Sequence, residues 1–216
     1  MIKSEVIKLI EDEKIIVIVR GVNKEDLIPL AQAMYDGGIK ILEVTYSANG
    51  SVSDEETASN IKMLSDHFEG KMVIGAGTVL TEKQVLLTKK AGGKFIISPD
   101  SYEKVIKKSS KLGLVSIPGA LTPTEIQSAI RSGADFVKLF PITNLGLSYF
   151  KAVKAPLSHV KFLAVGGIDE NNMAEYLKAG VCGFGIGSNI VDKKLIKDKK
   201  FDEITKLAKT FINAIK

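Results

Sequence analysis

The chain has little of several residue types that define classes of protein. Its 216 residues include one cysteine, Cys182, and no tryptophan. A single cysteine excludes an intrachain disulfide and a cysteine-based metal site. The N-terminus has no signal-peptide pattern, and every unbroken apolar run is far shorter than the roughly 20 residues of a membrane-spanning helix. We therefore expect a soluble, cytoplasmic protein with no membrane partner.

Aromatic residues and basic runs are also scarce. Aromatic residues make up 6% of the chain, and the net charge of +5 comes from 30 lysines and arginines against 25 aspartates and glutamates. The lysines are scattered and no basic run carries interleaved aromatics, so we expect no nucleic-acid partner. An excess of positive charge favours an anionic small substrate. The apolar set of Ile, Val, Leu and Ala is typical of parallel strands covered by helices.

Apolar periodicity predicts alternating strands and helices along the whole chain. Short strands are predicted at residues 15–20, 39–45, 72–74, 95–97, 114–117, 136–140, 162–165 and 182–186. Helices are predicted at residues 24–37, 54–68, 81–91, 101–111, 122–132, 146–155, 169–179 and 202–215, after an extra N-terminal helix at 1–12. Eight such pairs with short joints favour a single-domain (β/α)8 TIM barrel over residues 1–216, although a doubly wound open sheet stays possible.

Lys138 interrupts an apolar strand, Phe136-Val137-Lys138-Leu139-Phe140. Period-two alternation puts Lys138 on the same face as Phe136 and Phe140. Burial disfavours the charged ammonium and lowers its pKa, which provides the free amine that a Schiff-base nucleophile requires. A strand-end lysine whose head reaches into water would also fit this segment.

Glu43 lies between Leu42 and Val44 in another predicted strand, on the same face as Ile41 and Thr45. A carboxylate inside an apolar barrel is costly unless it meets a cation or a donor. It could form a buried, purely structural ion pair with Lys138. The same two groups are also the minimum set for Schiff-base chemistry, a nucleophile and a general acid/base.

Small residues follow the last two predicted strands, with Gly166 and Gly167 after one, and Gly187 and Ser188 after the other. Together with the start of a short helix near Asn189, their N–H groups could bind a phosphate, as barrels often do at this place. Tight turns also require glycine, so a turn without a ligand is the alternative.

Six motifs, in this order along nearly the whole chain, resemble those of the class I 2-keto-3-deoxy-6-phosphogluconate (KDPG) aldolases. That family includes 4-hydroxy-2-oxoglutarate (KHG) and 2-keto-3-deoxy-6-phosphogalactonate aldolases. The motifs are Ile41-Leu42-Glu43-Val44-Thr45, Gly75-Ala76-Gly77-Thr78-Val79, Ile97-Ser98-Pro99, Ile117-Pro118-Gly119, Val137-Lys138-Leu139-Phe140-Pro141 and Gly166-Gly167-Ile168.

The resemblance implies a role for each matching residue. Lys138 would form the Schiff base with the C2 ketone, and Glu43 would act as the general acid/base. Thr78 would bind the substrate carboxylate, Phe140 would pack beside the lysine, and Pro99 would line the pocket. The phosphate site would comprise Gly166, Gly167 and Ser188. The family works without a metal or other cofactor on phosphorylated 2-keto-3-deoxy sugar acids in carbohydrate metabolism, and is commonly homotrimeric.

Two positions depart from the gluconate-type pattern. Ser47 stands where many members carry a carboxylate-binding arginine, and a hydroxyl cannot replace a guanidinium, so Arg20 is our candidate for that charge. Val165 precedes the two glycines where gluconate-type members usually have threonine. Both Val165 and Arg20 resemble the galactonate-type enzymes, which leaves the preferred sugar configuration open.

Two other functions fit parts of the same pattern. A phosphosugar isomerase or epimerase would use Glu43 as a proton base without covalent attachment to Lys138. A non-catalytic barrel would bind a sugar phosphate and would have lost turnover through the change at Ser47. The resemblance favours an aldolase, a lyase that releases pyruvate and glyceraldehyde 3-phosphate.

Overall fold

A computed structural model describes residues 1–143 and 145–216, which alternate between strands and helices. The strands are β1 (Ile15–Val19), β2 (Ile41–Thr45), β3 (Val73–Gly77), β4 (Phe95–Ile97), β5 (Val115–Ile117), β6 (Gly119–Ala120), β7 (Val137–Leu139), β8 (Phe162–Val165) and β9 (Gly183–Ile186). The helices are α1 (Lys3–Glu13), α2 (Lys24–Asp36), α3 (Asp54–His67), α4 (Glu82–Lys90), α5 (Glu103–Lys111), α6 (Pro123–Arg131), α7 (Gly146–Lys154), α8 (Met173–Lys178), α9 (Lys193–Lys197) and α10 (Phe201–Ala214).

The strands form one parallel sheet in the order β5-β4-β3-β2-β1-β9-β8-β7-β6. The two ends of this order meet, because β5 pairs with β4 while β6, just beyond Pro118, pairs with β7. Proline has no N–H and therefore interrupts the ladder within this segment. The predicted single (β/α)8 barrel is confirmed, with nine assigned strands in place of eight because one is split at Pro118.

Alternate strand residues face opposite sides of the barrel wall. The interior cluster includes Ile16, Ile41, Val73, Phe95, Ile97, Val115, Ile117, Phe136 and Leu163. Residues of opposite parity, including Val17, Leu42, Ile74, Val137, Leu139 and Phe184, pack with the helices outside. The alternation predicted for the strand around Lys138 is therefore confirmed, and so is the predicted inward face of β2.

Helix α1 closes the N-terminal mouth of the barrel. Its residues Val6 and Ile10 are buried within the interior cluster. Its ends are held by ion pairs of 2.9 Å from Lys3 to Asp135 and 2.8 Å from Lys161 to Glu11. The remaining mouth lies at the C-terminal ends of the strands, where barrel enzymes have their active sites.

Local hydrogen bonds set where several helices begin. Thr81 and Thr122 accept the N–H groups of the third helical residues of α4 and α6, and each forms a capping box. The predicted helix 169–179 begins only at Met173, because the side chain of Asp169 accepts the N–H groups of the next turn. Around Asn189 the chain forms a turn, not the predicted helix start, and α9 follows after Asp192.

Within the described residues, no helix is both long enough and apolar enough to cross a membrane.

Candidate active site

Lys138 lies in the middle of β7, paired with Gly119 of β6 and Leu163 of β8. Its Nζ lies 4.3 Å from the centroid of the Phe140 ring, an attractive cation–π geometry. Desolvation lowers the pKa of Lys138, as predicted, and the charge of Arg20 lowers it further, while Glu43 opposes both. A lowered pKa increases the fraction of free amine near neutral pH, which a nucleophilic lysine needs.

Glu43 faces the same interior from β2 and is only 2% exposed. Its Oε2 has no hydrogen-bond partner in the described part of the chain. Burial raises the pKa of Glu43 to about 7, against the opposing attraction of Lys138 and Arg20. Among the residues described, Glu43 takes part in no ion pair, so the structural pair considered from the sequence is not formed. Near neutral pH this carboxyl can give or take a proton.

Gly77 of β3 provides the space that the Glu43 carboxylate occupies. A Cβ atom at position 77 would lie 2.2 Å from Oε1 of Glu43, far inside van der Waals contact. Strand β3 pairs with β2 in register, with Gly77 opposite Thr45. The glycine is therefore required by the position of the carboxylate and not by its own backbone angles.

We expect the Gly77→Ala variant to lose most of its activity while it still folds, because the added methyl group would displace the Glu43 carboxylate. A 1 Å misplacement of a catalytic group can cost about 100-fold in rate. Steady-state kinetics and circular dichroism on the same sample measure the two effects. Unchanged kinetics in the folded variant would show that the carboxylate tolerates displacement.

A cavity of about 450 Å³ opens above Lys138 and Glu43 at the C-terminal ends of the strands. All but two of the predicted site residues line it, namely Lys138, Glu43, Arg20, Phe140, Gly166, Gly167 and Ser188. Glu43 is the only acidic residue among those described around the cavity, whereas Arg20, Lys138 and Lys193 bring positive charge. The cavity therefore favours a small ligand with more than one negative charge.

Thr78 and Pro99 are the two predicted site residues that do not line this cavity. Thr78 is nevertheless adjacent to it, since its Oγ1 accepts a 2.9 Å hydrogen bond from Nη2 of Arg20. Its φ of 54° is in the left-handed region, which is uncommon for a residue other than glycine. Pro99 is exposed, and its carbonyl oxygen packs against Gly119. The structure thus brings Thr78 next to the cavity through Arg20, whereas Pro99 does not line the cavity.

The matches to known proteins agree with this arrangement. A family model described as KDPG and KHG aldolase matches residues 6–207. The chain belongs to this aldolase family. The resemblance drawn from the six motifs is therefore confirmed, and with it the assignment to the lyases.

Two curated relatives represent the two sugar configurations. The 2-dehydro-3-deoxy-phosphogluconate aldolase of Haemophilus influenzae is 32% identical over 217 residues, covering 99% of this chain and 98% of that protein. The 2-dehydro-3-deoxy-6-phosphogalactonate aldolase of Escherichia coli is 32% identical over 177 residues, covering 82% of this chain and 83% of that protein. Equal identity to both means that overall similarity does not decide the substrate.

A solved structure of KDPG aldolase from Legionella pneumophila has the same fold. It aligns with a TM-score of 0.84 and 31% identity, covering 95% of this chain and 97% of that chain. In that crystal structure, pyruvate was captured at low pH as a covalent carbinolamine intermediate. A carbinolamine is the adduct that precedes a Schiff base, so this relative uses class I chemistry.

The two departures from the gluconate-type aldolase pattern have different surroundings. The hydroxyl of Ser47 bonds within its own loop, at 2.7 Å to Asn49 Oδ1 and 2.9 Å to Ser51 Oγ, and does not line the cavity. Val165 does line it, with its side chain directed inward from β8. Arg20 is the arginine at the cavity, which is the position expected for it from the sequence.

The loops after β8 and β9 line the cavity with Gly166, Gly167 and Ser188. Gly166 and Gly167 have φ angles of 91° and 69°, and a Cβ atom at position 167 would lie 2.9 Å from Cα of Thr143. Turn geometry alone therefore requires these glycines. The N–H groups of Gly166, Gly167 and Ser188 have no acceptor within residues 1–143 and 145–216. Such groups can bind an anion.

Lys193 is the charged residue of the cavity that the sequence did not indicate. It is the first residue of α9, and its Nζ would lie 3.8 Å from a Cβ atom placed on Gly21. Lysines are scattered throughout this chain, and nothing in the local pattern distinguishes this one. Only the path of the chain after β9 brings Lys193 back towards the end of β1.

In the described part of the chain, no group of three or more His, Cys, Asp or Glu side chains is arranged to hold a metal ion.

Proposed function

We propose that this protein is a class I aldolase that cleaves 2-keto-3-deoxy-6-phosphogluconate to pyruvate and D-glyceraldehyde 3-phosphate. The observation that carries the proposal is that Lys138 and Glu43 line the same apolar barrel interior. Desolvation lowers the pKa of Lys138, and burial raises the pKa of Glu43 to about 7. A free amine and a carboxyl that exchanges protons near neutral pH are the two groups that Schiff-base cleavage needs.

The proposed reaction begins when Nζ of Lys138 attacks the C2 ketone to form a carbinolamine. Glu43 donates a proton to the departing hydroxyl, and loss of water leaves a protonated Schiff base. The Glu43 carboxylate then accepts the proton of the C4 hydroxyl as the C3–C4 bond breaks. The bonding electrons pass into the iminium, which leaves an enamine on Lys138 and releases the aldehyde. Protonation of the enamine at C3 and hydrolysis release pyruvate and the free amine.

Arg20 and Thr78 would bind the carboxylate of the substrate. The 2.9 Å hydrogen bond from Nη2 of Arg20 to Oγ1 of Thr78 orients the guanidinium beside the cavity. An arginine binds a carboxylate with two parallel hydrogen bonds, and the guanidinium retains its charge at every working pH. Arg20 would therefore compensate for the arginine that Ser47 replaces.

We expect Arg20→Gln to weaken substrate binding by roughly 10- to 100-fold, the range for a hydrogen bond to a charged group. Steady-state cleavage kinetics and the pyruvate concentration for half-maximal adduct formation should both reveal this loss. Arg131→Gln removes the same charge from the exposed end of α6 and is the matched control. Equal kinetics for the two variants would remove Arg20 from the carboxylate site.

The phosphate would bind the N–H groups of Gly166, Gly167 and Ser188, three residues that line the cavity. This anion site lies at the ends of β8 and β9, whereas Arg20 follows β1 and Thr78 follows β3. Lys138 faces the same cavity from β7, the strand next to β8. The separation suits a substrate with a carboxylate near one end and a phosphate at the other.

The galactonate-derived substrate is the second candidate, since Val165 cannot hydrogen-bond a substrate hydroxyl and Arg20 resembles the galactonate type. The test is release of pyruvate from KDPG, its galactonate isomer and KHG, followed with lactate dehydrogenase and NADH. We expect the highest kcat/KM with KDPG. A higher value with the galactonate isomer would support the second candidate, and no pyruvate from any of the three would refute the proposal.

We also propose a cytoplasmic homotrimer that acts in carbohydrate metabolism, on the basis of the family resemblance. Light scattering after size-exclusion chromatography should give three times the 23.3 kDa mass of the chain. A monomeric mass with full activity would refute the trimer without affecting the proposed chemistry.

A further inference from the structure

Lys193 lines the same cavity as Lys138, and its Nζ lies beside Gly21 at the end of β1. Two of its cavity neighbours, Ser188 and Asn189, belong to the turn after β9. The side chain therefore brings a positive charge to the cavity that Gly166, Gly167 and Ser188 also line.

The acidic residue nearest to Lys193 in sequence is already engaged. Oδ1 of Asp192 accepts the N–H groups of Lys194 at 2.7 Å and Leu195 at 2.9 Å, which fixes the start of α9. At the other end of this segment, Lys199 is paired with the buried Asp26. Among the residues described, Lys193 has no ion pair or side-chain hydrogen bond. Its ammonium is thus available to a ligand in the cavity.

We infer that Lys193 is a specificity-determining residue that binds the phosphate of the substrate and so selects phosphorylated 2-keto acids over unphosphorylated ones. This inference rests on the proposed aldolase function and adds a side-chain cation to the backbone site. A flexible, strongly hydrated ammonium suits a phosphate at a cavity mouth, because it can follow the ligand as a point charge. The carboxylate end of the substrate has Arg20, which Thr78 holds in place.

The experiment compares Lys193→Gln with Lys194→Gln, which removes the same charge from the next residue of the same helix but does not line the cavity. We expect Lys193→Gln to raise KM for KDPG by roughly 10- to 100-fold with little change in kcat, as for a lost charged hydrogen bond. Its KM for unphosphorylated KHG and its half-saturation by pyruvate should not change. Lys194→Gln should match the wild type throughout.

Binding of glycerol 3-phosphate, measured by calorimetry, gives a readout that does not depend on turnover. We expect Lys193→Gln to weaken this binding and Lys194→Gln to leave it unchanged. Equal binding by the two variants, or an equal rise in KM for phosphorylated and unphosphorylated substrates, would overturn the inference. If the variants give either of these results while the wild-type protein forms a pyruvate adduct on Lys138, the proposed function stays intact and only the role of Lys193 is refuted. Absence of that adduct would instead refute the proposed function.

Discussion

Replacing Glu43 by glutamine is expected to lower kcat for aldol cleavage by about 100- to 10,000-fold, the contribution of a positioned general acid/base. Glutamine keeps the size of the side chain but cannot take the proton of the C4 hydroxyl. The pyruvate adduct on Lys138 should still form, more slowly, because the amine remains. Stopped-flow assays measure the rate of adduct formation, and steady-state assays measure kcat for cleavage. A variant with wild-type kcat would show that another group moves these protons.

The same substitution should make the protein more stable at neutral and alkaline pH. The pKa of Glu43 rises from an ordinary 4.5 to about 7 in the fold, so the native state binds more protons than the unfolded state between these pH values. Stability is therefore lost as pH rises through this window, by about 3 kcal/mol in total, and the cost persists above it. Glutamine does not ionise, so the variant avoids this cost.

Urea unfolding of both proteins across pH tests the linkage. The difference in the free energy of unfolding between variant and wild type should shift in favour of the variant as pH rises from 4.5 to 7 and stay constant above that range. If the free energy of unfolding changed with pH in the same way for both proteins, this would contradict a raised pKa at Glu43.

Replacing Lys138 by either methionine or arginine should reduce turnover by roughly 10,000-fold or more, the scale found when a covalent nucleophile is removed. Arginine keeps the positive charge but stays protonated and cannot form the Schiff base. The pair of variants therefore separates a nucleophile from a ligand-binding cation. Steady-state pyruvate release measures the loss.

Lys161→Met is the matched control for these variants. Nζ of Lys161 also lies over an aromatic ring, at 5.6 Å from the Phe136 centroid, but Lys161 contacts Glu11 at the closed end of the barrel. Its activity should equal that of the wild type. Substantial activity in Lys138→Arg would indicate that Lys138 acts through its charge alone.

The positions of Lys138 and Glu43 could be predicted from the sequence because strand alternation is a local property. Once Phe136 and Ile41 were assigned to the interior, the period of two directed the lysine and the carboxylate to the same side. The order of the eight strand and helix pairs followed from periodicity in the same way, whereas the short helix α9 (Lys193–Lys197) was not predicted from it. The split at Pro118 changed the strand count but not the barrel, since the chain itself joins the two pieces.

The parts that could not be predicted depend on where loops cross the cavity mouth. Lys193 reaches the cavity only because the segment after β9 returns towards Gly21, and no local pattern encodes that path. The hydrogen bond between Arg20 and Thr78 joins loops that lie far apart in sequence. Pro99 was expected at the pocket from a motif, whereas the residue is exposed, does not line the cavity, and has its carbonyl oxygen packed against Gly119.

Mass spectrometry of the protein treated with pyruvate and borohydride is the most direct test of Lys138 as the Schiff-base nucleophile. Reduction should leave one pyruvate-derived adduct per chain, mapped by peptide analysis to Lys138 and absent from Lys138→Arg. Lys161→Met should carry the same adduct as the wild type. A folded wild-type protein with no adduct, or with an adduct on another lysine, would contradict the proposed chemistry.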